Sequence, residues 1–330
     1  MLFGSYRFHC RFESEAQLPP YKGSTLRGVF GNALKEAVGC RQTRTDCRAC
    51  ADKNNCLYVL VFETQLNDHL PRSKHTPEPP HPFVIEPPLD TATHYQAGQS
   101  LDFGLMLFGE VNHSLPYFIY AFERMGRAGI GRKTNGAGGT YRLCEVSMAE
   151  IRIFDGHTQT FQATPQPKTL NITPCAPGEK AFETLAVTLE TPLRLKFNNK
   201  LHPELPFHVL VRALLRRASS LLGVYGGGEP SLDYPALVRQ AEQVCMAENH
   251  LRWIDWRRYS FRQNDEMFLG GMLGSVTYRD VPADFLPLLE FGALTHIGKQ
   301  TAFGLGKIEL AAEPARKNLG AGCMPVKGAL

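Results

Sequence analysis

No stretch of the 330 residues approaches the roughly 18 consecutive apolar residues that a membrane span needs. The opening run MLFGSYRFHCRF carries polar residues throughout and lacks the apolar core of a secretion signal, so the expected location is the cytoplasm. Neither sign of charge dominates. Lys and Arg number 36 against 32 Asp and Glu, a net charge of +4, so overall charge selects no partner. There is no cluster of acidic residues and no P-loop lysine motif, which argues against metal-dependent phosphoryl transfer. Nine cysteines, an odd number without a secretion signal, argue against a disulfide framework. Hydrophobic residues at 43% and charged residues at 21% exclude disordered and fibrous classes and favour two globular domains.

What charge there is clusters locally. Residues 123–142 hold Arg124, Arg127, Arg132, Lys133 and Arg142 against Glu123, with six glycines between them. Residues 251–262 (LRWIDWRRYSFR) hold four arginines and both tryptophans of the chain. Basic fields mixed with aromatics suit a polyanion that has stackable bases.

The order of elements occurs twice. A strand alternating around Tyr6, Phe8, Cys10 and Phe12 leads to a helix from about Ser24 to Val38, with Ser24 or Thr25 as its N-cap. Leu26, Val29, Phe30, Leu34 and Val38 mark the apolar face of that helix. This half closes with a glycine-rich loop, GRAGIGRKTNGAGGTYR, feeding a strand from Tyr141 to about Phe154. In the second half, residues 185–197 read as a strand broken near Pro192, and a helix runs from about Leu205 to Leu222. The loop HIGKQTAFGLGKIEL then feeds a last strand. Ile130-Gly131-Arg132-Lys133-Thr134 aligns with Ile297-Gly298-Lys299-Gln300-Thr301, and a Gly-x-Gly follows each (Gly136 and Gly138; Gly304 and Gly306).

These segments in this order resemble the repeat-associated (RAMP) superfamily of CRISPR proteins. LETPLRLK, PFHVLVRALLRRASSLLGVYG, WIDWRRYSFRQ, GGMLGSVTY and HIGKQTAFGLGKIEL are similar to the C-terminal domain of precursor-crRNA-processing endoribonucleases. The first half matches more loosely, through LPPYKGSTLRGVFG and its own loop. The resemblance implies an α+β protein of two tandem ferredoxin-like (RRM-like) domains, each an antiparallel sheet with helices on one face. Its expected layout is a first domain at 1–161 and a linker at 162–180, where four prolines fall. A second domain at 181–312 and a disordered tail at 313–330 complete it. The stretch 71–90, with seven prolines, is expected to be a surface loop within the first domain.

The resemblance further implies binding of CRISPR repeat RNA and cleavage of precursor crRNA without a metal cofactor, by attack of a ribose 2′-OH. The alternative is a non-catalytic RNA-binding scaffold subunit of a CRISPR effector complex, and other effector subunits are expected partners in either case. Such cleavage needs a base for the 2′-OH, an acid for the leaving 5′-oxygen and a cation near the phosphorane. His296, beside Gly298 and Lys299, is the first candidate, since a histidine titrates near neutrality. His208 is the alternative base and Tyr259 a candidate acid. Expected RNA contacts are Lys299, Gly298, Gly304 and Gly306 in one loop and Arg132 and Lys133 in the other. Arg212 and Arg216 join them, in a helical stripe with His208, as do Arg257 and Arg258. Related nucleases place a histidine near the first helix of the N-terminal domain. Residues 24–38 have none, and His9 lies in the preceding strand.

Cys40, Cys47, Cys50 and Cys56 form a separate pattern, C-x6-C-x2-C-x5-C. Four thiolates at this spacing can close around a structural Zn²⁺ or carry a [4Fe–4S] cluster. Four protein ligands leave no open position, so the expected role is a staple rather than catalysis.

Overall fold

The computed structural model describes residues 1–40, 46–72, 78–134, 136–173, 182–195, 203–260 and 265–314. Compactness divides the chain into two units, and the main break, between Leu170 and Asn171, falls inside the expected linker.

In the first unit β1 (Leu2–Phe12) and β2 (Ala16–Gln17) precede α1 (Gly23–Ala37), α2 (Leu57–Phe62), β3 (Phe83–Glu86), β4 (His94–Tyr95) and β5 (Ser100–Phe108). Then come α3 (Leu115–Ala128), β6 (Ile130–Thr134), β7 (Ala137–Gly139), β8 (Tyr141–Met148), β9 (Ile151–Asp155), β10 (Thr160–Phe161) and β11 (Lys168–Thr169). The main sheet runs β10-β9-β8-β1-β5-β3, with β11 paired to β1. The second unit contains β12 (Phe182–Leu193), most of α4 (Phe207–Tyr225), α5 (Tyr234–Ala241), β13 (Cys245–Asn249), β14 (Arg252–Ser260), β15 (Asp265–Val281), α6 (Leu286–Thr295) and β16 (Ile308–Pro314). Its sheet runs β13-β15-β12-β16, and β14 also pairs with β15. Stripped of extra strands, each unit is β-α-β-β-α-β with the fourth strand beside the first and the first beside the third. That is the ferredoxin-like arrangement. No helix of the described residues is long and apolar enough to cross a membrane.

Alternation decides which face of the first sheet is covered. Tyr6, Phe8, Cys10 and Phe12 point inward and are at most 2% exposed. They meet α1 and α3 across an aromatic core in which Phe30 stacks on Phe122 (4.5 Å, 13°) and Phe8 on Phe103 (5.1 Å, 8°). Gly126 lets α3 lie against β8, because a Cβ there would stand 2.3 Å from the Tyr141 carbonyl oxygen. The opposite face of β1 presents Ser5, Arg7, His9 and Arg11, of which Ser5, Arg7 and Arg11 are exposed.

Several local expectations are corrected. The expected strand 141–154 is a hairpin, β8 and β9, turning at Ala149 (φ 52°). The glycine-rich loop after α3 is likewise a small hairpin, β6 with β7. Phe83–Glu86 form β3 within the proline-rich stretch, which works because β3 is an edge strand and its prolines lie outside it. β12 continues through Pro192, with its pairing to β15 shifting register between Leu189 and Leu193. The N-cap of α1 is Lys22 rather than Ser24 or Thr25, and its side chain makes no cap hydrogen bond. β16 reaches Pro314, two residues into the expected tail, and 315–330 lie outside the described residues.

Candidate nucleic-acid interface

The two glycine-rich segments share a backbone signature. Gly129 (φ 83°) and Gly131 (φ 84°) flank the buried Ile130, as His296 (φ 57°) and Gly298 (φ 82°) flank the buried Ile297. His296 thus takes a left-handed turn position that glycine fills in the first unit. It is 0% exposed, and its Nδ1 lies 3.1 Å from the Leu305 carbonyl oxygen. A ring so enclosed cannot touch a ribose, so the catalytic expectation for His296 is corrected to a structural one. Gly304 and Gly306 are also buried, and a Cβ on Gly306 would lie 1.8 Å from the Ile297 carbonyl oxygen. Close approach of backbone to backbone accounts for that glycine without RNA. Gly298 and Lys299 are exposed, as are Arg132 and Lys133 on β6.

On α4 the helical period separates two kinds of arginine. Arg212 and Arg216 are exposed, whereas Arg217 is buried and donates to the Thr295 carbonyl oxygen from Nε (3.1 Å) and from a terminal nitrogen (2.7 Å). His208 is half-buried on the Arg212 side. Burial first, and then the Arg212 guanidinium, hold its imidazole below the ordinary histidine value, with Glu242 acting the other way. The result is an imidazole biased to the neutral, proton-accepting form at pH 7. Arg212 also pairs with Glu242 at 3.5 Å, an exposed contact of about 1 kcal/mol or less that RNA phosphate could displace.

In the β14–β15 hairpin, Arg257 pairs with Phe268, Arg258 with Met267 and Tyr259 with Glu266. The side chains of Arg257, Arg258 and Tyr259 lie outside the described residues. Trp253 is half-buried, its indole N–H donating to Asp255 (3.0 Å), and Arg252 is exposed.

The four cysteines occupy a segment of short turns. Cys40 follows α1, Cys47 opens a 3₁₀ turn that Cys50 ends, and Cys56 precedes α2. All four lie outside disulfides. Burial pushes the Cys47 thiol up, Lys35 opposes this, and Glu63, Cys56 and Cys40 add to the rise. Among the described residues no three His, Cys, Asp or Glu side chains are gathered closely enough to hold an ion.

Residues that sequence reasoning passed over line a cleft of about 450 Å³ on the open face of the first sheet, including Arg7, His9, Glu86, Glu145 and Ser147. Strand register assembles it. His9 sits opposite Asp102 on β5, and Arg7 sits opposite Ser147 on β8. His9 Nδ1 lies 3.6 Å from Asp102 Oδ2, and its Nε2 lies 3.4 Å from Ser147 Oγ. The signal was present in the alternation of β1, whose outward residues from Ser5 to Arg11 are all polar. The neighbours on β5 and β8 could not be known before the sheet formed.

Comparison with known proteins bears on both units. Residues 1–166 match the family model AF_1859_N, an N-terminal domain, and residues 187–308 match that of the CRISPR-associated endoribonuclease Cas6. A protein of Archaeoglobus fulgidus, named only as uncharacterized, is 26% identical over 294 residues, 88% of this chain and 91% of the relative. Among solved structures, a chain of a partial Cas6-RT-Cas1–Cas2 complex superposes with a TM-score of 0.55 at 14% identity, over 98% of this chain. The present chain spans about half the length of that one (48%). A Thermus thermophilus Cas6 gives a TM-score of 0.50 at 15% identity, over 94% of this chain and 98% of its own. At such identities the likeness speaks for the shared fold.

Proposed function

The chain belongs to the RAMP family of CRISPR-associated endoribonucleases, with an AF_1859_N domain at 1–166 and a Cas6 domain at 187–308, and on that premise we propose that it binds CRISPR repeat RNA and cleaves precursor crRNA. The observation that carries the reading is the exposed face of α4, where Arg212 and Arg216 stand beside a histidine biased to neutrality. Exposed Lys299, Arg132 and Lys133 supply further phosphate contacts. In the reaction the ribose 2′-oxygen bonds to the adjacent phosphorus as a base takes its proton. The bond from phosphorus to the 5′-oxygen breaks, and that oxygen gains a proton. The products are a 2′,3′-cyclic phosphate and a 5′-OH. Alignment of the 2′-oxygen in line with the leaving group supplies a large part of the acceleration. His208 and Tyr259 are the base and the acid that the sequence offers.

The test is a labelled repeat RNA incubated with the protein in excess EDTA, beside the same RNA carrying one 2′-deoxy substitution at the cut. Cleavage by the wild-type protein that the substitution abolishes is expected. Tight binding with the RNA left intact would instead make the protein a scaffold, and its partners would be sought among CRISPR effector subunits.

We further propose that Cys40, Cys47, Cys50 and Cys56 hold a structural Zn²⁺, with a [4Fe–4S] cluster as the alternative. Their spacing supports this. Such a group would cross-link a segment that has little core of its own. Elemental analysis of protein purified without added metal should give about one zinc, or about four irons, per chain. Cys47→Ser/Cys50→Ser should lose that metal, and wild-type protein free of both metals would rule the site out.

A further inference from the structure

The polar groups on the open face of the first sheet are not a random surface. His9 has a carboxylate on one ring nitrogen and a hydroxyl on the other, at 3.6 Å and 3.4 Å. A carboxylate beside Nδ1 favours the tautomer with the proton on that nitrogen, which leaves Nε2 as an acceptor. Arg7, one step along the same strand face, carries no ion pair among the described residues. The His9 and Asp102 side chains are 40% and 43% exposed, so their pairing adds about 1 kcal/mol or less to stability. Glu145 is occupied by Arg152 at 2.6 Å, which reduces its pull on Arg7. An open sheet face of an RRM-like domain also suits an unpaired nucleotide laid across it.

We propose that this cleft receives the scissile nucleotide of a single-stranded RNA segment and that His9 is the base of the cleavage reaction. The 2′-OH gives its proton to His9 Nε2 in place of the contact with Ser147, while Asp102 holds Nδ1–H and spreads the charge that forms. The 2′-oxygen bonds to phosphorus, the bond to the 5′-oxygen breaks, and the leaving oxygen takes a proton from water. Arg7 pairs with the phosphate. In these roles His9 and Arg7 are catalytic residues and Asp102 is a positioning residue. The inference rests on the cleavage reading above and names its residues.

Single-turnover cleavage and RNA binding would be measured separately for wild type, His9→Ala, His9→Gln, Asp102→Asn and His208→Ala. His9→Ala is expected to slow cleavage by about 100-fold or more while changing the Kd less than about threefold, with added imidazole restoring part of the rate. Asp102→Asn should slow cleavage in the wild-type background but cause no further slowing in His9→Ala, a non-additivity that a merely structural role would not produce. Cleavage by His9→Ala and His9→Gln at the wild-type rate overturns this inference and leaves the nuclease reading standing. So does loss confined to His208→Ala. Wild-type protein that binds the RNA but does not cut it overturns both.

Discussion

Phe30→Ala is expected to destabilise the first unit by about 3–5 kcal/mol, the range for deleting a fully buried phenylalanine. Phe30 is 0% exposed and is the node of the aromatic core, facing Phe122, Phe118, Phe62 and Phe83 with ring centroids between 4.5 and 5.7 Å. Four rings on one side chain leave the cavity little room to collapse, so the upper half of the range is favoured. Urea unfolding followed by near-UV circular dichroism measures it, and a loss below about 1 kcal/mol would refute this account of the core. The site depends on the same packing. β1 turns its apolar residues to Phe30 and its neighbours and its polar residues to the cleft, so loosening one face disorders the other.

Asp90→Ala should cost about 2–3 kcal/mol. Lys22 is fully buried, and its ammonium donates to Asp90 Oδ1 (2.9 Å) and to the carbonyl oxygens of Asp90 and Pro20. Breaking a buried pair leaves an uncompensated charge worth about 3–5 kcal/mol, discounted here because the Asp90 side chain is 52% exposed. Burial works to raise the Asp90 carboxyl, but hydrogen bonds from Lys22, Ala92 and Tyr95 prevail and hold it below the ordinary carboxylate value. A carboxyl lowered by folding stabilises fully above its unfolded value of about 3.9, and that stabilisation is lost as pH falls through the folded value. The gap in urea midpoint between wild type and Asp90→Ala should therefore be full at pH 7 and narrow steadily below about pH 4. Lys22→Met in the Asp90→Ala background should recover part of the loss, since it removes the stranded ammonium. A gap independent of pH would mean that Asp90 acts only as a turn residue, through its contact with the Ala92 N–H.

Legibility followed the range of the interactions. The apolar spacing of α1 and the inward parity of β1 are local periodicities, and the structure shows both, with Leu26, Phe30 and Leu34 at 0% exposure. The α4 stripe was equally legible, down to the exposure of Arg212 and Arg216. The cap of α1 was missed because Lys22 is engaged by Asp90, 68 residues away, and nothing in GSTLRG announces that partner. β3 was missed because prolines mark turns, while an edge strand needs hydrogen bonds on one side only. His296 was misjudged because its neighbours Gly298 and Lys299 are exposed while its own ring is turned inward to Leu305.

The sequence by itself determined the class of fold, the duplication and the family, because each rests on short-range pattern: periodicity, glycines at left-handed positions and the order of segments. It also supplied the exposed cations of α4 and of the two glycine-rich segments. Only the tertiary structure decided which histidines can reach a substrate. Burial removed His296, and the register of β1 against β5 and β8 brought Asp102 and Ser147 to His9 across separations of 93 and 138 residues. Proton-transfer chemistry depends on distances of a few ångströms between groups far apart in sequence, and pairing of strands is what sets those distances.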